Sequence, residues 1–172
     1  EDEIEGLELH HLATREGEVH YALLSDFADA DAETLPHDAA LLERARAAMA
    51  RLNSRYPGGK GGPRFLFLHR RRQFNPAEGR WMGWERKRGK LHELNRLLRG
   101  AKDTSFLGPE GGSPVVPKNV RYVITLDADT RLPLGTARRM IGKMAHPLNR
   151  PRFDTRLRRV VSGHGILQPR DV

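Results

Sequence analysis

Short apolar runs bounded by turn residues predict five strands along the chain. They are Leu7–Leu12, His20–Leu24, Arg64–His69, Val120–Leu126 and Val160–Leu167. We expect Val120–Leu126 to be the central buried strand of a sheet. The last run contains Gly163 and Gly165, which can interrupt a strand.

Between these runs, apolar residues recur at the three- and four-residue spacing of amphipathic helices. The predicted helices are Asp38–Tyr56, Glu85–Leu98 and Pro133–Met144. The predicted loops are Gln73–Trp84, Asp103–Lys118 and His146–Arg156. Strands that alternate with helices favour an α/β fold with a mostly parallel sheet and flanking helices.

The length and composition limit the class of protein. A chain of 172 residues fits one domain or a large piece of one. It contains no run of 18 apolar residues, as a membrane-spanning helix would need. It lacks cysteine, which excludes disulfides and thiolate metal sites. Because it ends just after a predicted strand, we expect residues 1–172 to be an excised piece of a larger protein.

Charge adds a clue about partners. The formal net charge is +8, and the basic groups cluster at Arg70–Arg72, Arg86–Lys90 and Arg150–Arg159. A guanidinium group pairs with two phosphate oxygens at once. A basic chain of this kind can bind nucleic acid, a nucleotide-sugar or an anionic membrane surface.

The apolar run Tyr122–Leu126 leads into two carboxylates, Asp127 and Asp129. Residues two apart on a strand point to the same face. Open α/β folds bind ligands at the carboxyl ends of their strands. Mg²⁺ and Mn²⁺ bind few carboxylates together with substrate phosphates. The pattern therefore predicts a metal–diphosphate site, with a simple turn or helix cap as the alternative.

The segment Glu85–Lys90 places four cations at a loop-to-helix junction, where free N–H groups can also bind phosphate. Gly89 would let the backbone approach a ligand closely. The alternative is a solvated basic face of a surface helix. Nearby, Trp81 and Trp84 could stack on a base or sugar, or could simply cover the core.

The predicted strand ends place polar groups together. Ser25-Asp26, His69–Arg72 and the pair Asp127/Asp129 each follow a predicted strand. Parallel strands would bring these groups to one edge of the sheet.

Several other types of site are excluded by the spacing of residues. Thr130 comes one position too early for a haloacid-dehalogenase phosphatase, and the chain has neither a P-loop nor a zinc-protease motif.

Taken in order, several runs closely resemble the glycosyltransferase domain of bacterial cyclic β-1,2-glucan synthases. A weaker similarity extends to family-2 processive synthases such as cellulose synthase. The runs cover nearly the whole chain and are LLSDF (Leu23–Phe27), HRRR (His69–Arg72), RWMGWERKRGKL (Arg80–Leu91), YVITLDADTRLP (Tyr122–Pro133), MAHPLNRP (Met144–Pro151) and GILQPR (Gly165–Arg170).

The resemblance implies a GT-A-type nucleotide-diphospho-sugar transferase fold, present here as an incomplete fragment. It implies UDP-glucose as donor, a glucan acceptor, inversion at the transferred sugar, and Mg²⁺ or Mn²⁺ as cofactor. The parent would be a multidomain membrane protein whose synthase domain lies on the cytoplasmic face of the bacterial inner membrane. The fragment itself would be soluble and would act with the remaining domains of that parent. No nucleic-acid partner is implied.

The same resemblance assigns site residues. Asp26 corresponds to an aspartate that contacts uridine, and Lys87 to a lysine that contacts the diphosphate. Asp127 and Asp129 correspond to the Asp-x-Asp pair that holds metal and donor. The neighbouring cations Arg86, Arg88 and Lys90 are further donor-binding candidates, and Trp81, Trp84 and Gln168 are acceptor-side candidates.

Departures from the family pattern set limits. Lys-Arg-Gly-Lys stands where the processive synthases have Lys-Ala-Gly-Asn, and the first nucleotide-binding strand should precede Glu1. No Thr-Glu-Asp element appears, so the catalytic residue is unknown and the acceptor base is expected beyond Val172. We expect the fragment to be inactive alone. Two other readings stay open: a basic nucleic-acid-binding module, and a non-catalytic segment in which Arg150–Arg159 contacts anionic lipid.

Overall fold

Two units make up the chain in a computed structural model. The first contains Glu1–His11 and Glu16–Arg121, and the second contains Leu12–Arg15 and Tyr122–Val172. The structure describes residues 2–14, 17–59, 61–109 and 112–168. Helices and strands both occur in it, so the α/β class is confirmed. Among the described residues, no helix is long and apolar enough to cross a bilayer.

The first unit is built on a parallel pair of strands, β1 (Tyr21–Asp26) and β2 (Phe65–Arg70). Parallel neighbours need a crossover connection, and helix α2 (Asp38–Arg55) lies in that connection. Both strands and the helix agree with the sequence-based predictions to within two residues, and β1 runs on to include Ser25 and Asp26.

Both faces of β2 are covered, as its near-continuous apolar sequence requires. On one face, Phe65 packs with Tyr21 of β1 and with Met49 and Leu52 of α2. On the other face, a second cluster includes residues of helix α3 (Arg86–Leu98); its buried members are Leu66, Leu68, Leu94, Leu97 and Phe106. The two clusters fix the strand pair between α2 and α3, and α3 begins one residue after its predicted start.

A β-hairpin over residues 73–82 replaces most of the loop predicted over Gln73–Trp84. Strands β3 (Gln73–Asn75) and β4 (Arg80–Met82) pair antiparallel. The backbone of Trp81 also exchanges two hydrogen bonds of 2.9 Å with Ala30 in the segment after β1. The hairpin therefore holds that segment in place.

The predicted strand Leu7–Leu12 is wrong, because helix α1 spans Asp2–Ala13. Leucine and glutamate are good helix formers, and this segment lacks a run of β-branched residues. Acidic Asp2, Glu3 and Glu5 lie in the first turn and His10 and His11 in the last, which suits the helix dipole.

In the second unit, the predicted central strand Val120–Leu126 is also wrong (Val120 and Arg121 belong to the first unit). The segment has no strand assignment, and Tyr122 and Val123 are 39% and 52% exposed. A β-rich sequence becomes a strand only when a neighbouring strand accepts its hydrogen bonds. No such neighbour lies beside it in the described part of the chain.

The rest of the second unit consists of helix α4 (Thr136–Ala145), a 3₁₀ turn (Pro147–Asn149) and an antiparallel hairpin of β5 (Arg152–Asp154) and β6 (Arg159–Ser162). Helix α4 begins three residues after its predicted start. The last strand covers only the first part of the predicted Val160–Leu167. Each sheet among the described residues has two strands, and two of the three are antiparallel. The mostly parallel sheet is therefore a wrong prediction, and the GT-A fold remains a hypothesis.

Candidate functional site

The carboxyl ends of β1 and β2 bring an acid and a base together. Asp26 is the register partner of Arg70. The Nε group of Arg70 donates to Oδ1 of Asp26 at 2.6 Å. The predicted convergence of these two strand ends is confirmed, because parallel pairing aligns them at one edge of the sheet.

Arg70 is fully buried and forms hydrogen bonds with four other residues of the first unit. Besides Asp26, it donates to Oε1 of Glu93 at 2.9 Å and to the carbonyl oxygens of Trp84 and Arg86 at 3.1 Å each. Glu93 in turn accepts hydrogen bonds from the backbone N–H and the hydroxyl of Ser105. Two carboxylates thus stabilise a guanidinium that water does not reach, as buried charges require.

An open cleft of about 530 Å³ lies beside this network. Lys90 Nζ lies 3.1 Å from Oδ2 of Asp26, so both oxygens of that carboxylate have cationic partners. Burial raises the pKa of the Asp26 carboxyl, but hydrogen bonds from Arg70 and Lys90 outweigh this and hold the pKa below its ordinary value. Asp26 is therefore an anion at neutral pH. The cleft is lined by Asp26, Phe27, Ala28, Asp29, Gly83, Arg86, Lys87 and Lys90.

Gly83 allows the cleft wall to approach Asp26. A Cβ atom at this position would lie 2.7 Å from Cγ of Asp26 and 2.8 Å from Nη2 of Arg70. Both of those atoms are fixed by their mutual ion pair. A larger residue at position 83 would therefore displace the carboxylate from the cleft edge.

The first turn of α3 has unusual backbone geometry. Glu85 and Arg86 have φ values of 52° and 47°. Non-glycine residues adopt such angles at a cost of about 1–3 kcal/mol each, and only where the surroundings hold them. Here Arg70 holds the carbonyl oxygens of Trp84 and Arg86. The buried arginine therefore fixes the backbone that carries the cleft cations.

Gly89 has a different role from the predicted one. A Cβ atom there would lie 1.9 Å from the carbonyl oxygen of Trp84 and 2.8 Å from its Cε3 atom. Gly89 therefore permits α3 to pack on Trp84, and a close approach of its backbone to a ligand stays a prediction.

The predicted donor-binding cations are placed unequally. Arg86, Lys87 and Lys90 line the cleft, and Arg86 also pairs with Asp29 at 2.9 Å. Arg88 lies outside the cleft lining and pairs with Glu85 at 2.7 Å on the exposed side of the helix. The structure thus brings three of the four cations together with Asp26.

The two tryptophans lie near the cleft without lining it. Trp81 in β4 is half-buried, with its ring centroid 5.7 Å from that of Phe74. Trp84 is 46% exposed and packs edge-on against His92 with ring centroids 6.0 Å apart. An acceptor-side role for either ring stays a prediction.

Asp127 and Asp129 belong to the second unit and lie in a turn. The N–H of Thr130 donates to the carbonyl oxygen of Asp127 at 3.0 Å, and Arg131 donates to that of Ala128 at 3.0 Å. The backbone here forms a turn, which was the alternative interpretation of the sequence. Both carboxylates are exposed. Two carboxylates suit part of a Mg²⁺ shell that substrate phosphates would complete. Across the described residues, no cluster of three or more metal-ligating side chains occurs. Gln168 is exposed and lies outside any strand.

Sequence reasoning missed the internal role of the arginines. It took Arg70–Arg72 as one basic cluster, but Arg70 and Arg72 are buried and only Arg71 is exposed. Arg72 forms a two-pronged pair with Asp38 and donates to the carbonyl oxygens of Ala28 and Glu33. The available signal was strand position, because Arg70 shares a face of β2 with the buried residues Leu66 and Leu68. Glu93 likewise lies one helical turn before Leu97.

His69 is a buried imidazole next to this site. Its Nδ1 atom lies 2.8 Å from the Ser25 hydroxyl, and its Nε2 atom has no partner among the described residues. Burial lowers the pKa of His69 to about 4, with Lys90 and Arg72 acting in the same direction against Asp26 and Asp38. The ring is therefore neutral at physiological pH.

Comparisons with known proteins give one informative match. The chain is 53% identical over 167 residues to the cyclic beta-(1,2)-glucan synthase NdvB of Rhizobium meliloti (strain 1021). The alignment covers 97% of this chain but only 6% of that much larger protein. No protein-family model matches the chain. The resemblance to a segment of a cyclic β-1,2-glucan synthase is thereby confirmed.

Proposed function

Because the chain is 53% identical to a segment of a cyclic β-(1,2)-glucan synthase, we propose that it is the donor- and metal-binding part of a glucosyltransferase. The donor is UDP-glucose, and glucose passes to a growing β-1,2-glucan with inversion. The fold of the complete domain in the parent protein is of the GT-A type. The parent works at the cytoplasmic face of the bacterial inner membrane.

The observation that carries the proposal is the cleft at the carboxyl ends of β1 and β2. It combines two carboxylates, Asp26 and Asp29, with three cations, Arg86, Lys87 and Lys90. A nucleoside diphosphate needs both kinds of group, because its base offers N–H donors and its phosphates are anionic. Ligands of α/β folds bind at this edge of the sheet.

Each residue has a role that follows from its charge and place. Asp26 accepts a hydrogen bond from the uridine part, since Arg70 keeps its carboxylate fixed and ionised. Lys87, with Arg86 and Lys90 beside it, offsets negative charge on the diphosphate. That charge grows as the bond to glucose breaks, so fixed cations stabilise the transition state more than the ground state.

Asp127 and Asp129 are the residues that would hold Mg²⁺ or Mn²⁺. When bound, the cation would act as a Lewis acid for the departing UDP. Inversion needs one in-line displacement, because the donor is α-linked and the product β-linked. Trp81, Trp84 and Gln168 remain the candidates for contact with the acceptor.

The burial of Arg70 and Arg72 argues against a nucleic-acid interface at this edge of the β1–β2 sheet. Arg70 and Arg72 are committed to internal carboxylates and carbonyl oxygens, so they cannot contact a phosphate backbone. Arg86 and Arg88 each pair with a neighbouring acid. The exposed positive charge on this face is therefore smaller than the sequence indicates.

Calorimetric titration of UDP into the purified chain, with Mn²⁺ and then with EDTA, tests the proposal. We expect binding that weakens when the metal is removed. Lys87→Ala should weaken binding by about tenfold or more, because a charge-assisted contact is lost. Arg51→Ala, on the exposed side of α2, is the matched control and should leave the affinity unchanged. Absence of UDP binding by the folded chain would contradict the donor role.

The metal role has a separate test. Asp129→Ala should abolish the difference between the Mn²⁺ and EDTA titrations, whereas the exposed control Asp31→Ala should preserve it. A metal-dependent affinity that survives in Asp129→Ala would sink the assignment of this residue.

A further inference from the structure

The β5–β6 hairpin of the second unit is strongly basic. We call residues 150–162 the basic hairpin. Its five arginines are exposed, and Asp154 is its single acid. Within the part of the chain that the structure describes, none of the five takes part in an ion pair. They are Arg150, Arg152, Arg156, Arg158 and Arg159.

Asp154 does not neutralise these arginines by pairing with them. Its Oδ1 atom accepts hydrogen bonds of 2.9 Å from the backbone N–H groups of Arg156 and Leu157. The carboxylate therefore holds the hairpin loop in shape. Arg158, with φ of 51°, completes the loop in the left-handed region that hairpin loops often use.

The basic hairpin also exposes large apolar side chains. Phe153 is 59% exposed, Leu157 57% and Val160 40%. Phe153 and Val160 are cross-strand partners, so their side chains share one face. Leu148, in the 3₁₀ turn just before the hairpin, is 84% exposed. Strand alternation places Arg152 and Arg159 on the opposite face, and Leu157 lies in the loop between Arg156 and Arg158. The hairpin therefore exposes an apolar face, a cationic face and a loop that carries both kinds of group.

The hairpin is an ordered element and its base is closed. The N–H of His164 donates to the carbonyl oxygen of Asn149 at 3.0 Å. Gly163 passes so close to Arg150 that a Cβ atom would lie 2.0 Å from the Arg150 carbonyl oxygen. These contacts present the arginines and apolar residues together, as a folded surface rather than as a charged tail.

We propose that the basic hairpin docks on an anionic lipid bilayer. Arginines near a membrane attract acidic headgroups, and their long side chains reach the headgroups while apolar neighbours enter the acyl boundary. A nucleic-acid duplex would satisfy the charges but would leave Phe153 and Leu157 without an apolar partner. The combination of both groups therefore favours lipid. This proposal is independent of the donor site.

Sedimentation with phosphatidylcholine vesicles, with and without phosphatidylglycerol, tests it. We expect binding only to the acidic vesicles, weakening as salt rises. Replacing Arg152, Arg156 and Arg158 with Gln should weaken binding roughly 100-fold, since each arginine near the surface contributes separately. The matched control replaces the exposed Arg51, Arg99 and Lys102 with Gln, which removes the same charge elsewhere. An equal loss in both triple variants would overturn the proposal, because it would show that only net charge matters.

A second experiment asks whether apolar residues enter the bilayer. The chain has no cysteine, so one can be added and labelled with an environment-sensitive dye. With acidic vesicles, we expect a blue shift in the emission of a dye attached at Leu157→Cys. We expect no shift for a dye attached at Ala47→Cys on α2. No shift at Leu157→Cys, or tight binding to duplex DNA without vesicle binding, would overturn the lipid proposal.

Discussion

At the residue scale, Arg70 determines how the candidate site is built. It is fully buried and is held by Asp26 and Glu93. Removing one member of such a network leaves an uncompensated charge in the interior, which costs more than the net contribution of the pair. The site thus depends on a residue that itself lies out of reach of solvent.

Arg70→Met should lower the free energy of unfolding by about 3–5 kcal/mol, because two buried or half-buried carboxylates lose their partner. The neighbouring Arg71→Met is the control, since Arg71 is exposed, and it should change stability by less than about 0.5 kcal/mol. Urea denaturation followed by circular dichroism measures both. A similar cost in the two variants would mean that the network contributes little.

His69 predicts how stability depends on pH. A histidine in an unfolded chain gains its proton near pH 6.5, whereas His69 in the fold does so near about 4. The unfolded state therefore binds more protons between these values, and stability decreases as the pH falls through that window. The full effect is on the order of 3 kcal/mol.

Denaturation curves from pH 7 to about pH 4 measure this slope. His69→Gln should flatten it, whereas the exposed His164→Gln should leave it unchanged. An unchanged slope in His69→Gln would assign the acid sensitivity to other groups. One such group is Asp38, whose pKa Arg72 lowers by hydrogen bonding.

Residue types alone predicted part of the site. Asp26 and the cations of α3 were found from strand ends and charge clustering, and the cleft includes Asp26, Arg86, Lys87 and Lys90. Charge clustering failed for Arg70 because it does not indicate whether a cation faces solvent or an internal acid. The partner, Glu93, lies 23 residues away in the chain.

At the element scale, the space around a helical glycine determines the effect of replacing it. Gly89 is buried against Trp84, whereas Gly142 in α4 has nothing within 4 Å of its Cβ position. Both glycines lie within helices, but only Gly89 has a close neighbour. Replacing each with alanine should therefore change stability in opposite directions.

Gly89→Ala should destabilise the chain by about 1–3 kcal/mol, because overpacking forces backbone to move. Gly142→Ala should stabilise it by up to about 1 kcal/mol, since alanine is the better helix former. Thermal unfolding of the two variants beside the parent chain measures the pair. Stabilisation by Gly89→Ala would contradict the close contact with Trp84.

Element predictions succeeded where local pattern and packing agree. Helices α2 and α3 carry a strong apolar stripe, and β1 and β2 pair with each other. The prediction failed for Val120–Leu126 because alternation specifies a face but does not supply a partner strand. It failed for α1 because the apolar residues of a short segment fit either period.

At the scale of the whole molecule, the chain corresponds to 6% of the length of its curated relative. We expect UDP binding without glucose transfer by residues 1–172 alone, because no Thr-Glu-Asp element for the acceptor base occurs in the sequence. Incubation with UDP-glucose and a β-1,2-glucan, followed by chromatography of the products, measures transfer. Turnover by the isolated chain would show that the acceptor base lies within it.

The sequence predicted the α/β class, but it could not predict that the described residues form three separate two-stranded sheets. The number of strands in a sheet depends on which strands pair, and paired strands can lie far apart in the sequence. The resemblance to cyclic β-1,2-glucan synthases was accessible because extended runs such as Arg80–Leu91 are specific to a family.

The pairing of Asp26 with Arg70 also has a consequence for the order of folding. The two residues are 44 positions apart, and contacts across long loops form slowly because chain entropy opposes them. Helix α2 can form locally before β1 meets β2, and Glu93 and Trp84 come later still in synthesis. Within the first unit, the cleft should therefore be completed after α2 has formed. A destabilised nascent chain would lose the cleft before it loses α2.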